Sequence, residues 1–441
     1  MSQIVGISLL GCGVVGSGVL KVLESQRPMI EGRTGLVLDV RHVVVRDAVR
    51  VRDIPQAFPK DRIHTDAARA IDDPGVSIVV ELIGGTTHAR ELTERALVAG
   101  KHIVTANKSL LALAGADLFK LARQNNSSIS FEASCAGGIP IIDALLRGLS
   151  ANRIDALVGI VNGTCNFILS KMTRENMGYA EALAEAQALG FAEADPTLDV
   201  SGRDAAQKLA VLSTLAFGAN VREEDIERCG IDGIAADDIR YAGEFGHVIK
   251  LLASASRSTS GALRLRVSPT LVPHEDMLAQ VSSSFNAVSV YGHALGHAMF
   301  YGRGAGQLPT ASAVVADILS TATGVGPAMF AAMRSYPDSA ETVRIEHADE
   351  SESCFYIRLT VEDRPGVLAA VTDAFGRASI SLRAVLQHES NSSDAVPVVI
   401  LTHRCRAGAL REALRRINTL PANRGTATCL PVLESPVEFA S

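Results

Sequence analysis

Residues 4–16 read Ile4-Val5-Gly6-Ile7-Ser8-Leu9-Leu10-Gly11-Cys12-Gly13-Val14-Val15-Gly16. An apolar run leads straight into G-x-G-x-x-G, after which Val19, Leu20 and Leu23 recur at helical spacing. In a strand, turn and helix the three glycines have separate tasks. Gly11 permits the turn, Gly13 lets the backbone approach a pyrophosphate, and Gly16 lets the helix pack closely on the strand. The helix N-terminus then turns its amide N–H groups toward the phosphates. This stretch predicts an N-terminal Rossmann-type nucleotide-binding domain of the α/β class. Cys12 inside the loop reads as a small filler and not as a nucleophile.

The following segments extend that sheet. Residues 36–45 form a second strand ending in Val45-Arg46-Asp47; Arg46 favours the 2′-phosphate of NADP, and Asp47 keeps NAD open. A strand at 76–83 ends in Gly84-Gly85-Thr86-Thr87, a helix spans 88–98, and a strand at 102–105 ends in Asn107-Lys108. Both loops fall at carboxyl ends of parallel strands, where such sheets bind ligands. Lys108 at a helix start opposes the helix dipole, which points to a role other than stability. A strand at 129–133, the turn Cys135-Ala136-Gly137-Gly138-Ile139-Pro140 and a short helix to Leu149 complete a domain over residues 1–150.

The character changes at 151. A strand at 154–161 precedes Asn162-Gly163-Thr164, which starts a helix, and a second helix at 179–189 is stopped by Gly190. Residues 190–208 then read G-F-A-E-A-D-P-T-L-D-V-S-G-R-D-A-A-Q-K. Pro196 and Gly202 break any continuous helix, so a loop is expected that becomes helical at Ser201, with Ser201 and Asp204 as a capping box and Gly218 as the stop. Asp204 and Lys208 lie four apart and share one helix face. The plainer reading is an exposed ion pair, worth only about 0.3–0.5 kcal/mol. Glu193, Asp195, Asp199 and Asp204 crowded around one lysine point instead to a polar pocket for a ligand carrying an ammonium group, with the lysine moving a proton.

Strands at 248–255 and 263–271, a second Gly-rich loop at 300–306 and a helix at 311–319 packing back on the first domain give an α+β domain over 151–323. Residues 324–352 read as a linker. Residues 353–435 then repeat strand and helix as βαββαβ, with strands at 355–361, 380–387, 396–402 and 426–432, helices at 367–377 and 407–417, and a polar turn at 389–394. That order is a ferredoxin-like unit.

At 441 residues, 47% apolar and 20% charged, the chain has room for two or three domains of ordinary globular composition. A net charge of −6 without basic runs argues against nucleic acid and anionic membranes as partners. No leader and no apolar run long enough for a membrane span is read, so a cytoplasmic protein is expected. Seven scattered cysteines favour reduced thiols over a disulfide framework or a zinc site. His293 and His297 are spaced by four, but the glycines around them disfavour a helix and a metal role.

Several stretches together resemble the homoserine dehydrogenase family: G-C-G-V-V-G at 11–16, E-L-I-G-G at 81–85, V-T-A-N-K at 104–108, N-G-T-C-N-F-I-L at 162–169, the acidic stretch at 190–208 and Y-G-R-G-A-G-Q-L-P-T-A at 301–311. The tail resembles an ACT domain through D-R-P-G-V-L-A at 363–369. The pair is similar to the bacterial form of the enzyme that threonine inhibits. The resemblance implies reversible reduction of L-aspartate 4-semialdehyde to L-homoserine by NAD(P)H, in threonine and methionine synthesis.

By motif, it makes Lys208 the proton donor, with Asp204 its partner. Gly190, Glu193 and Asp199 lie at the substrate, Lys108 lies between cofactor and substrate, and Gly11, Gly13, Val14, Val15, Gly16, Arg46, Thr86 and Gly306 line the cofactor. It also implies a sodium ion held by main-chain carbonyls, which points to Glu132, Cys135, Gly137 and Ile139. A homo-oligomer is expected, with threonine as the allosteric ligand. Two rivals remain: a dehydrogenase of another small amino-acid-like substrate, and a non-catalytic NADP-binding amino-acid sensor. Aspartate-semialdehyde dehydrogenase needs a catalytic cysteine, and neither Cys135 nor Cys165 has an evident base.

Overall fold

Strand Gln3–Leu10 is central in a six-stranded sheet, flanked by Leu36–Val44 and then Ile63–His64 on one side and by Ile78–Glu81, His102–Thr105 and Ile129–Ser130 on the other. Every pairing is parallel, and Leu10 stands opposite both Val44 and Glu81, so the loops after these strands leave the sheet at one edge. The order 3-2-1-4-5-6 is the doubly wound one, with its switch point at the first strand. Residues 5–10 are buried without alternation because helices cover both faces. A computed structural model of the chain, describing residues 3–258, 260–333, 343–388 and 395–434, provides this architecture.

The sheet belongs to a unit made of residues 1–154, 207–223 and 299–343. Its core includes Val19 and Leu20 of the Val14–Ser25 helix and Ala311, Val314, Val315 and Ile318 of the Gln307–Ala322 helix. The latter was expected to begin at 311; it begins four residues earlier because a proline in the first turn lacks only an N–H that would have no helical partner.

One expectation is corrected here. The strand expected over 129–133 ends at Ser130, since the chain turns into a single 3₁₀ turn, Glu132–Ser134. There the Glu132 carboxylate accepts the amides of Ile142 (2.9 Å) and Asp143 (2.8 Å). The segment read as a linker opens with a helix, Val325–Ala332, where Ala, Met and Phe outweigh Gly326 and Pro327.

The second unit comprises residues 155–206, 224–298 and 344–441. Strands Phe285–Gly292, Ile154–Ile160, His247–Arg257, Leu263–Pro273 and Glu227–Arg228 neighbour one another in that order. The tail adds a four-stranded antiparallel sheet in the order Leu382–Gln387, Val396–Thr402, Phe355–Val361, Thr428–Pro431, with helices Val367–Arg377 and Ala407–Asn418. This is the ferredoxin-like arrangement expected for the tail. The polar turn expected at 389–394 lies outside the described residues.

Alternation along Phe355–Val361 gives its two faces different work. Phe355, Ile357, Leu359 and Val361 join the core under the two helices. Tyr356 and Arg358 face the other way and converge on Asp238 of the Ala236–Glu244 helix, which is fully buried. Asp238 Oδ1 accepts from the Tyr356 hydroxyl (3.0 Å) and Arg358 Nε (2.6 Å), while Oδ2 accepts from Arg358 Nη2 (2.9 Å) and the Ala235 amide (2.9 Å).

Lys250, on the same unit's central strand, is 4% exposed and donates from Nζ to the Val281 carbonyl (2.6 Å). Burial pushes its pKa down to about 8. Between that value and the ordinary lysine value of about 10.4, the unfolded chain holds the extra proton. Stability therefore rises with pH across this window, by up to about 1.4 kcal/mol per unit. Denaturant titrations at pH 8.0 and 9.5 should show that rise, and Lys250→Met should flatten it. Equal slopes in both proteins would reject the assignment.

Among the described residues, no single helix is long and apolar enough to cross a membrane.

Candidate active site

In the first unit, the Gly-rich loop closes as its glycines require. The Gly11 amide donates to the Val44 carbonyl (2.9 Å), and a Cβ at Gly16 would lie 2.4 Å from the Gly11 carbonyl oxygen. At Gly13 an added Cβ would meet nothing within 4 Å, so the outer side of the loop is open to a ligand. The Val14–Ser25 helix has no side-chain cap, and its first-turn amides face the same opening. Val14 is exposed and Val15 half-buried. These features fit a dinucleotide. At the second strand's end Arg46 is exposed, whereas Asp47 Oδ1 accepts the amides of Val49 (2.9 Å) and Arg50 (3.3 Å), so the turn itself uses that carboxylate.

Two further loops are tied to each other. Glu81 is fully buried; Oε1 accepts the amides of Ile83 (2.8 Å) and Gly84 (3.1 Å), and Oε2 accepts the Thr105 hydroxyl (2.8 Å). Asn107 donates from Nδ2 to the Gly85 carbonyl (2.8 Å) and caps the Lys108–Gln124 helix through Oδ1. E-L-I-G-G and V-T-A-N-K are thus two halves of one bonded edge, which holds Thr86 and Lys108 at adjacent strand ends. Sequence reasoning named neither Glu81 nor Asn107 as a site residue; their place at the ends of neighbouring parallel strands was the available signal.

Lys208 comes to the same part of this unit. Ser109 Oγ donates to Gln207 Oε1 (2.8 Å), Gln207 Nε2 donates to Glu223 Oε2 (3.0 Å), and the Cys135 thiol reaches the Lys208 carbonyl (3.8 Å). Burial pushes the Cys135 thiol up to about 12 against the pull of the Ser134 hydroxyl and of the Lys208 and Lys108 ammonium groups. It stays protonated at neutral pH and is a poor nucleophile.

The turn after Ile129–Ser130 has Ala136 at φ 53° and Gly137 at φ 52°, and a Cβ at Gly137 would fall 2.4 Å from the Gly304 carbonyl oxygen. The Ile139 carbonyl accepts from the Ile141 amide (2.8 Å) and that of Glu132 from the Cys135 amide (3.4 Å). Each carbonyl keeps a second lone pair. Oxygen donors alone suit a hard cation. Gly306, at φ 130°, precedes the Gln307–Ala322 helix.

In the second unit, the acidic stretch is anchored on the start of the Gly163–Glu175 helix. Thr164 Oγ1 donates to the Phe191 carbonyl (2.6 Å), the Cys165 thiol to the Asp199 carbonyl (3.3 Å), and Asn162 Nδ2 to both Asp199 Oδ1 (2.7 Å) and Asp204 Oδ2 (2.8 Å). Gly190 and Glu193 are exposed, and Gln187 Nε2 donates to the Glu193 carbonyl (3.0 Å). Asp195 is exposed and accepts the Thr197 amide (3.1 Å) within its own turn.

The capping box expected at Ser201 is corrected. Residues Thr197–Val200 form one helical turn that Ser201 closes, Gly202 turns the chain at φ 77°, and the next helix is Arg203–Phe217, with Gly218 at φ 67° after it. That helix carries Asp204, buried, and Lys208, half-buried, one turn apart.

Three family models match stretches of the chain. One described as homoserine dehydrogenase matches residues 140–319, one described as the homoserine dehydrogenase NAD binding domain matches 11–132, and one for the ACT domain matches 355–422. The chain is 40% identical to a homoserine dehydrogenase of Bacillus subtilis, covering 94% of this chain and 95% of the relative. It is also 40% identical to one of Pseudomonas aeruginosa, over 98% and 99%. The crystal structure of a homoserine dehydrogenase from Thiobacillus denitrificans superposes with a TM-score of 0.92 at 40% identity, covering 98% and 99% of the two chains. A hyperthermophilic archaeal homoserine dehydrogenase in complex with NADPH gives 0.61 at 27% identity, over 73% of this chain and 98% of that one.

Proposed function

The chain belongs to the homoserine dehydrogenase family and is an NAD(P)-dependent oxidoreductase, and from that premise we propose which of its residues perform the reduction of L-aspartate 4-semialdehyde to L-homoserine and how the activity is regulated. The observation that carries the reading is the Arg203–Phe217 helix, which continues from a bridged pair of carboxylates, Asp199 and Asp204, to a half-buried lysine one turn on.

Bound NADPH supplies the hydride. Gly11, Gly13, Val14, Val15 and Gly16 take the pyrophosphate, Arg46 the 2′-phosphate, and Thr86, Lys108 and Gly306 the rest of the cofactor face. The engagement of Asp47 by its own turn supports NADP over NAD. Glu193, Asp199 and Asp204 offer negative charge to the substrate ammonium, with the Gly190 turn beside them. As the aldehyde carbon is reduced, charge grows on its oxygen, and Lys208 gives that oxygen a proton. Lys108, whose charge, like that of Lys208, acts on the Cys135 thiol, shares in the transfer. Glu132, Cys135, Gly137 and Ile139 hold a sodium ion through main-chain carbonyls. A cation held there would supply a fixed positive charge to this unit.

In the same reading, residues 1–150 bind the nucleotide, 151–323 supply catalysis and oligomerisation, 324–352 connect, and 353–435 regulate. Threonine bound to the ACT domain inhibits, the enzyme is a homo-oligomer, and it works in the cytoplasm, to which seven cysteines with no disulfide between them are suited.

The test is the initial rate of semialdehyde reduction with NADPH and with NADH, each with and without threonine. Faster turnover with NADPH and suppression by threonine are expected. Equal use of both cofactors would remove Arg46 from its role, and an unchanged rate in threonine would remove the ACT domain from regulation.

A further inference from the structure

We propose that Asn162 is a positioning residue for the substrate's ammonium end, acting through Asp199 and Asp204. This rests on the assignment of those two carboxylates to the substrate. Asn162 is 4% exposed, and its amide is bonded through both its oxygen and its nitrogen. Oδ1 accepts the Cys165 amide at 2.8 Å as the N-cap of the Gly163–Glu175 helix. That bond decides which way the amide points, because a flipped amide would lose the cap and set a carbonyl oxygen against two carboxylates.

With Oδ1 committed to the cap, Nδ2 has two hydrogens and two acceptors, Asp199 Oδ1 at 2.7 Å and Asp204 Oδ2 at 2.8 Å. Two oxygens bonded to one trigonal NH2 sit roughly 5 Å apart, a separation set by the amide's own geometry. The bridge opposes the like-charge repulsion between the two side chains. Asp199 comes from the single turn Thr197–Val200 and Asp204 from the following helix, and the one amide ties the two together.

The rest of N-G-T-C works toward the same end. Thr164 and Cys165 hold the backbone of the acidic loop at Phe191 and Asp199. Gly163 allows the turn to sit where it does, since a Cβ there would be 2.8 Å from the Ser284 carbonyl oxygen. A cap serving only the helix would need an acceptor alone, and serine, threonine or aspartate would do as well. An asparagine is required only if its donor side is used.

Asn162→Ser and Asn162→Asp separate the two roles. Both keep an acceptor for the cap; serine lacks the reach to the carboxylates, and aspartate replaces the donor with a third acidic group. In the homoserine-oxidising direction, KM for homoserine should rise at least tenfold in Asn162→Ser and further in Asn162→Asp. KM for NADP should stay within twofold, and the melting temperature of Asn162→Ser should stay near that of the parent. A homoserine KM within twofold of the parent in both variants would overturn the proposal, as would parallel losses for homoserine and NADP. Asp199→Asn is the control for the underlying assignment. If it leaves the homoserine KM unchanged, the carboxylate assignment has failed; if it raises KM while Asn162→Ser does not, the positioning role alone has failed.

Discussion

Lys208→Ala should turn over about 10²–10⁴ times more slowly than the parent, the usual loss when a positioned acid is removed, while binding NADPH with unchanged affinity. The substitution is mild for the fold. Lys208 lies inside the Arg203–Phe217 helix, where alanine is the best helix former, and the helix is held by Leu209, Leu212 and their buried neighbours. The contact from the Cys135 thiol goes to the Lys208 carbonyl and survives the change. Steady-state kcat and a fluorescence titration with NADPH check both halves. A parental kcat would remove Lys208 as the proton donor and leave Lys108, at the start of its own helix, as the candidate. Loss of both kcat and NADPH binding would indicate damage to the nucleotide unit instead.

Asp238→Ala should lower the unfolding free energy by about 3–5 kcal/mol, the range for removing one partner of a buried ion pair. The alanine would abandon three groups at once: the Arg358 guanidinium, the Tyr356 hydroxyl and the Ala235 amide. Arg358 also donates to Thr428 Oγ1 (3.0 Å), which satisfies one of its nitrogens and leaves its charge uncompensated. Asp238→Asn keeps the shape and two acceptor directions but not the charge, and should cost less. Denaturant unfolding of the three proteins gives the comparison. A loss below about 1 kcal/mol, the figure for an exposed pair, would mean that water reaches the cluster. Because the cluster joins the ACT sheet to the Ala236–Glu244 helix, the same variant should also lose its threonine response if the ACT domain regulates through that contact.

Local chemistry was enough to mark many elements correctly. The helix His88–Val98 and the strands His102–Thr105, Phe355–Val361 and Val396–Thr402 follow from apolar spacing bounded by turn residues, and their observed ends are those expected. The Gly-rich loop is equally local, because Gly11 and Gly16 answer to atoms a few residues away or at the end of an adjacent strand. The acidic stretch could be singled out as a candidate site from its residue types, yet its shape could not. Ser201 looked like a cap by spacing, and Gly202 instead turns the chain before the next helix begins.

What the sequence by itself determined was the order of strands and helices, the nucleotide loop and the βαββαβ order of the tail, because periodicity and turn propensity act over a handful of residues. Only the tertiary structure decided which side chains meet. The Asn162 bridge spans 37 and 42 residues of chain, and the Asp238 cluster spans 118 and 120. Contacts that distant leave no period in the sequence. They arise when packing removes water from polar groups and each must find its partner among whatever the fold has brought within about 3 Å.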